Sequence, residues 1–186
     1  MVHSTANDIM GTEQHSPQSL FICGTPLQSI LANRIIETLQ LEKENCKLFF
    51  YTRVHNKKYE HYYQKLQQNC GESIYFHNEF RYPSHLIEAK RIFENFSYDD
   101  IYFASIISSY VFLALSLGKH RQIFTFDDGT ANISPTSSYA ARYGLTLKKY
   151  LGLRVFGNRY SAQKIRSEVS RHYTIYPGLK RSEEHT

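Results

Sequence analysis

Tryptophan is absent from the 186 residues, and cysteine is scarce: Cys23, Cys46 and Cys70 are the whole complement. These thiols are odd in number, widely spaced and without a CxxC pair. They supply neither a disulfide framework nor a zinc site, and they fit a reducing compartment. Motif signatures are missing as well. There is no GxSxG, no HExxH, no GxxxxGK[ST] and no GxGxxG loop, so hydride chemistry in particular has no support. The N-terminal stretch MVHSTANDIMGTEQHSPQS is polar and lacks an apolar h-region, so no signal peptide is expected and residues 1–18 read as a flexible leader. Long apolar runs are lacking too. The most apolar one, Ile101–Leu117, is broken by Ser105, Ser108, Ser109 and Ser116. It falls short of the roughly 20 residues of a membrane helix and reads as a buried strand followed by a buried helix. His77, His85, His120 and His172 have no metal spacing, and surface or helix-end positions are expected for them.

What is present is globular in balance. Hydrophobic residues make up 41% and charged residues 21%, and the length suits one well-packed domain. Aromatics are abundant, with 15 Tyr and 12 Phe. The net charge of +5 fits an anionic substrate or surface. Apolar runs at Ser19–Cys23, Lys47–Tyr51, Ser73–His77, Ile101–Ala104, Gln122–Phe126 and His172–Tyr176 predict strands. Between them lie helical patterns. The first follows Thr25-Pro26, a cap and first-turn proline, with Leu27, Ile30, Leu31, Ile35 and Leu39 as its apolar face. Others are expected at His55–Gln68, Pro83–Phe96 and Ser108–Leu117, the last closed by Gly118 as a C-terminal cap. Alternating strands and helices predict an α/β fold: a Rossmann-like parallel sheet with helices on both faces.

Open parallel sheets bind ligands at the carboxyl ends of their strands. Two loops are expected to meet there, Cys23–Pro26 after the first strand and Asp127–Thr130 after the fifth. Gly24 and Gly129 would allow close backbone approach or positive φ. The helix behind Thr25 would aim its N–H groups at the same crevice. A carboxylate at Asp127 or Asp128 could act as a general base on a bound hydroxyl, its neighbour raising its proton affinity. A plainer reading stays open, because Asp-Gly is a common turn pair and Thr-Pro a common helix start. Further along, Arg142, Lys148, Lys149, Arg154, Arg159, Lys164, Arg166 and Arg171 are opposed by Glu168 and interleaved with Leu145, Leu147, Tyr150 and Leu151. This stretch could rest on anionic lipid, lie solvated, or face another domain. No helix-turn-helix or RRM element accompanies it, so no nucleic-acid partner is expected.

The blocks CGTPLQ (Cys23–Gln28), FTFDDGTANI (Phe124–Ile133) and HYTIYPGL (His172–Leu179) resemble the bacterial lipooligosaccharide sialyltransferases of glycosyltransferase family 52, over about Ser19 to Leu179. The resemblance implies that residues 19–179 form the N-terminal, acceptor-side half of a GT-B fold. It implies inverting transfer of sialic acid from CMP-sialic acid to a galactose hydroxyl of lipooligosaccharide, with no bound metal or other cofactor. Asp127 and Asp128 inherit acceptor activation, and Gly24, Thr25, Gly129, Thr130 and Asn132 fall in the substrate-binding loops. A cytoplasmic protein is implied, peripheral to the inner membrane, with a second copy of the chain as a candidate partner. The family's His-Pro element is not found in this sequence, so the nucleotide-binding domain is expected to be absent and the chain alone inactive. RSEEHT, Arg181–Thr186, matches the translation of a common sequencing-adapter read, and residues 181–186 are expected to be non-native. The competing expectation is a non-catalytic flavodoxin-like or receiver-like module. Receivers, however, carry their acidic pair after the first strand rather than the fifth.

Overall fold

The structure is a computed structural model, and it describes residues 16–54, 56–77, 83–128 and 147–175. Six strands form one sheet: β1 (Ser19–Cys23), β2 (Cys46–Thr52), β3 (Glu72–His77), β4 (Asp100–Phe103), β5 (Gln122–Phe126) and β6 (Val169–Tyr173). Their order is β3-β2-β1-β4-β5-β6, and every pairing is parallel. That is the Rossmann order, in which the strand sequence reverses at β1. A flavodoxin-like or receiver-like sheet would put β3, not β4, beside β1, so the topology overturns the competing expectation. Each residue of β1 is buried, as a strand covered on both faces requires.

The helices are α1 (Pro26–Leu39), α2 (Lys57–Gln67), α3 (Ser84–Asn95), α4 (Ser109–Leu117), α5 (Leu147–Val155) and α6 (Ala162–Glu168). One core cluster joins Phe21, Ala32, Ile35, Ile36, Leu48, Phe50 and Leu66, under α1 and α2. The other joins Phe49, Leu86, Phe93, Phe103, Phe112 and Ile165, under α3, α4 and α6. Cys23, Cys46 and Cys70 are free thiols buried in the first cluster. Burial pushes Cys46 up to about 11 and Cys70 up to about 12, so both stay protonated and unreactive near neutral pH.

Several local expectations are revised. The sixth strand ends at Tyr173, not Tyr176, because Thr174 and Ile175 turn inward onto Asp127. Gly118 follows α4 with extended backbone, so no left-handed cap is formed there. Its lack of a side chain has another cause: a Cβ would overlap the Tyr98 ring, whose hydroxyl donates to the Ala114 carbonyl. The left-handed cap belongs to Gln40, behind α1. The described part of the basic stretch after residue 142 divides into α5, α6 and β6. Gln18, read as leader, is tied to the sheet: its N–H donates to Asp99 and its amide to Asn45.

Candidate functional site

Three elements build the rim at the carboxyl end of the sheet. The chain leaves β1 through Gly24 and enters α1 at Thr25, whose Oγ1 accepts from the Gln28 N–H. Gly24 does not have positive φ; among the described residues that conformation occurs at Gln40 and Gly157. What Gly24 provides is close approach, since a Cβ there would lie 3.0 Å from the Tyr51 ring and 3.1 Å from its carbonyl. α1 buries the expected face in part: Ile35 is in the core and Leu31 and Leu39 pack against it. Leu27 and Ile30 are exposed, while Gln28 and Ser29 are buried together with Ala32, Ile35 and Ile36. The first turn thus directs polar groups inward, where a purely structural helix would place leucine.

The buried amide of Gln28 links the two loops. Its Oε1 accepts from the Gly24 N–H at 2.6 Å, and its Nε2 donates to Asp128 Oδ1 at 2.6 Å. Residues 24 and 128 therefore do meet on one rim. Asp128 is partly exposed there. Tyr51 stands within its electrostatic reach. Burial, with the Asp128 charge adding and a Ser108 hydrogen bond opposing, pushes the Tyr51 phenol up to about 12. Near neutral pH it is a neutral hydroxyl. Tyr51 also lines a pocket of about 250 Å3 with Arg53, His85, Ser105, Ser108 and Ser109.

Asp127 is in a different situation, although it is the adjacent residue. Successive side chains along an extended segment point to opposite sides, and Asp127 turns into the protein, 1% exposed. Its Oδ1 accepts from His172 Nε2 at 3.0 Å. Its Oδ2 accepts from Thr174 Oγ1 at 2.9 Å and from the Ile175 N–H at 2.6 Å. His172 Nδ1 in turn bonds Thr125 Oγ1 at 2.8 Å. Since Nε2 faces a carboxylate it carries a proton, which leaves Nδ1 to accept from Thr125 when the ring is neutral. The His172 side chain is only 6% exposed, so the expectation of a surface or helix-end histidine fails for it. The group is a clamp that fastens the end of β6 to the end of β5.

A family model described as glycosyltransferase family 52 matches residues 43–186. The chain belongs to glycosyltransferase family 52. Among curated relatives, the CMP-N-acetylneuraminate:beta-galactoside alpha-2,3-sialyltransferase of Pasteurella multocida is 32% identical over 169 residues, 87% of this chain and 53% of that protein. An N-acetyllactosaminide alpha-2,3-sialyltransferase of Haemophilus influenzae is 29% identical, over 87% of this chain and 54% of its own length. One of Neisseria meningitidis with the same name is 28% identical, over 95% and 50%. The chain spans about half the length of the curated relatives it matches.

For this family 52 chain, the expected site residues divide as follows. Gly24, Thr25 and Asp128 share the rim, and Asp127 lies directly beneath it as a buried anchor. Gly129, Thr130 and Asn132 lie outside the described residues. Gln28 was not anticipated. Its signal in the sequence is the pattern Thr25-x-x-Gln28, a capping box, combined with a polar residue on what becomes the buried face of the helix.

Proposed function

We propose that the protein transfers sialic acid from CMP-sialic acid to a galactose hydroxyl of lipooligosaccharide, with inversion at the anomeric carbon, and that Asp128 is the base. The observation that carries the assignment is the contrast between the two carboxylates. Asp127 is sealed in the interior with both oxygens accepting hydrogen bonds, whereas Asp128 stands partly exposed at the sheet's ligand edge. The names of the relatives support the donor and the galactoside acceptor.

In the proposed reaction the Asp128 carboxylate takes the proton of the acceptor hydroxyl. The freed oxygen forms a bond to the anomeric carbon of sialic acid as the bond to the CMP phosphate oxygen breaks. CMP leaves with the electron pair. The acceptor sugar would sit in the pocket shared by Tyr51, Arg53, Ser105 and Ser109, where hydroxyl and guanidinium groups suit saccharide hydroxyls. No metal enters the scheme. Family members use a His-Pro element at the donor phosphate by resemblance, and this sequence has none. The test is to express the complete reading frame that carries this chain and supply CMP-sialic acid with a lactoside. Sialyl-lactoside of inverted anomeric configuration is expected, with negligible turnover from the 186-residue chain alone. Transfer from a different nucleotide sugar, with none from CMP-sialic acid, would overturn the reading.

We also place the protein at the cytoplasmic surface of the inner membrane. On α5, Leu147, Leu151 and Val155 follow i, i+4, i+8 spacing and are 58%, 56% and 85% exposed. Arg154 and Arg159 are exposed close by in the chain. An apolar stripe flanked by cations is the chemistry of a helix lying on anionic lipid. Among the described residues no helix is long and apolar enough to cross a membrane. In vesicle flotation the chain is expected to rise with phosphatidylglycerol-containing vesicles and not with neutral ones, and Leu151→Asp is expected to abolish this. Equal partitioning to both vesicle types would remove the proposal.

A further inference from the structure

Resting on the reading of Asp128 as base, we propose that Gln28 is its positioning residue: the side-chain amide fixes the carboxylate at the rim. The orientation of this amide is dictated by its neighbours. A backbone N–H can only donate, so the group facing Gly24 must be Oε1; an ionised carboxylate can only accept, so the group facing Asp128 must be Nε2. Both contacts are 2.6 Å, and Gln28 is 3% exposed. The amide therefore has a single arrangement, held from behind by the main chain that leaves β1.

The geometry departs from an ordinary capping box. There, the Glu or Gln at the third helical position returns to the N–H of the capping residue itself. Here Gln28 holds that position after Thr25, but its oxygen reaches the residue before the cap, Gly24. That extra reach aims the NH2 group across the rim toward β5. A cap alone needs only an acceptor, which Glu supplies as well as Gln. Only the contact to Asp128 needs a donor. The choice of amide over acid is thus the signature of a second task.

The chemical consequence concerns the direction of the base. A carboxylate on the short aspartate stem swings about two torsions, and a misplacement of about 1 Å at a reacting group can cost about 100-fold in rate. A donor on Oδ1 holds the plane of the carboxylate that must accept the acceptor's proton. The same bond joins the sugar-activating loop to the start of α1, so the base is set by a rigid element rather than by its own loop.

The substitution that separates the two tasks is Gln28→Glu. It retains an oxygen for the Gly24 N–H, and hence the cap, but replaces the donor with a charge that repels Asp128. Assayed in the complete enzyme, Gln28→Glu is expected to lower kcat by about 10- to 100-fold, with KM for CMP-sialic acid unchanged. The acid limb of the kcat/KM profile should move to higher pH, since a like charge disfavours ionisation of the base. Gln28→Leu, which loses both contacts, should lower kcat without the full movement of the acid limb. Thermal unfolding should fall more in Gln28→Leu than in Gln28→Glu. Wild-type kcat and an unmoved acid limb in Gln28→Glu would overturn the proposal, provided Asp128→Asn lowers turnover by about 10²–10⁴-fold. If Asp128→Asn keeps parental turnover, the reading of the base itself fails, and the role of Gln28 fails with it.

Discussion

Replacement of Asp128 by asparagine should reduce the proposed sialyl transfer of the complete protein by about 10²–10⁴-fold, the range that a positioned general base contributes. The change removes one thing only. Asparagine matches the shape of aspartate, and its carbonyl can still accept from Gln28 Nε2, so the bridge to Gly24 persists. Because Asp128 is partly exposed and lies outside both core clusters, unfolding temperature should stay close to that of the parent. What is lost is the ability to take a proton. The expected kinetic pattern is a fall in kcat with little change in KM for either substrate. Steady-state transfer from CMP-sialic acid to a lactoside, paired with thermal denaturation, measures both. Parental turnover in Asp128→Asn would exclude this residue as the base.

Asp127 should respond in the opposite way, through stability. Asp127→Ala removes the acceptor used by His172 Nε2, Thr174 Oγ1 and the Ile175 N–H. Leaving a buried donor unsatisfied costs about 1–3 kcal/mol, and three such donors lose their partner here. A total on the order of 4 kcal/mol is expected, which for a chain of this length lowers Tm by about 10 °C. The loss should be local in origin, since the three donors all belong to the end of β6 and the turn after it. Backbone protection in hydrogen exchange should therefore fall first at Thr174 and Ile175. An Asp127→Ala protein that unfolds at the parental temperature would refute the role of the clamp. The pair of variants thus distinguishes two acids that adjoin in sequence, one lost to catalysis and the other to folding.

The strands were readable because a parallel sheet covered on both faces needs continuous apolar runs, and five of the six are bounded by charged or turn residues. β6 was misplaced because Val169–Tyr173 mixes Ser170, Arg171 and His172 into an edge position, with partial burial only. Its end is set by a distant carboxylate, which no local pattern records. The start of α1 departs from its periodicity for a related reason, while Leu31, Ile35 and Leu39 pack inward as expected. Periodicity assigns Leu27 and Ile30 inward, but the first turn stands over the ligand edge, where inward means toward polar partners. Gly118 was recognised as special, yet for a backbone conformation it does not adopt; the demand comes from the Tyr98 ring, a contact between residues well separated in the chain. The acidic pair was visible in TFDDGTAN as a pair. Which member faces inward depends on the exit angle of β5 and on His172, and neither can be seen in eight letters.

The partners Gln28 and Asp128 stand 100 positions apart in the chain, and β4 must insert between β1 and β5 before they can touch. During synthesis, Gln28 leaves the ribosome long before its counterpart exists and must wait in water with its amide solvated. A contact of such sequence separation is expected to form late, since its loop must close before the contact returns any energy. Assembly of the rim is then expected to be a late event of folding. A lesion deep in β4, far from the rim, is expected to part Gln28 from Asp128 as surely as a change at either residue, because β4 carries the sheet from β1 to β5.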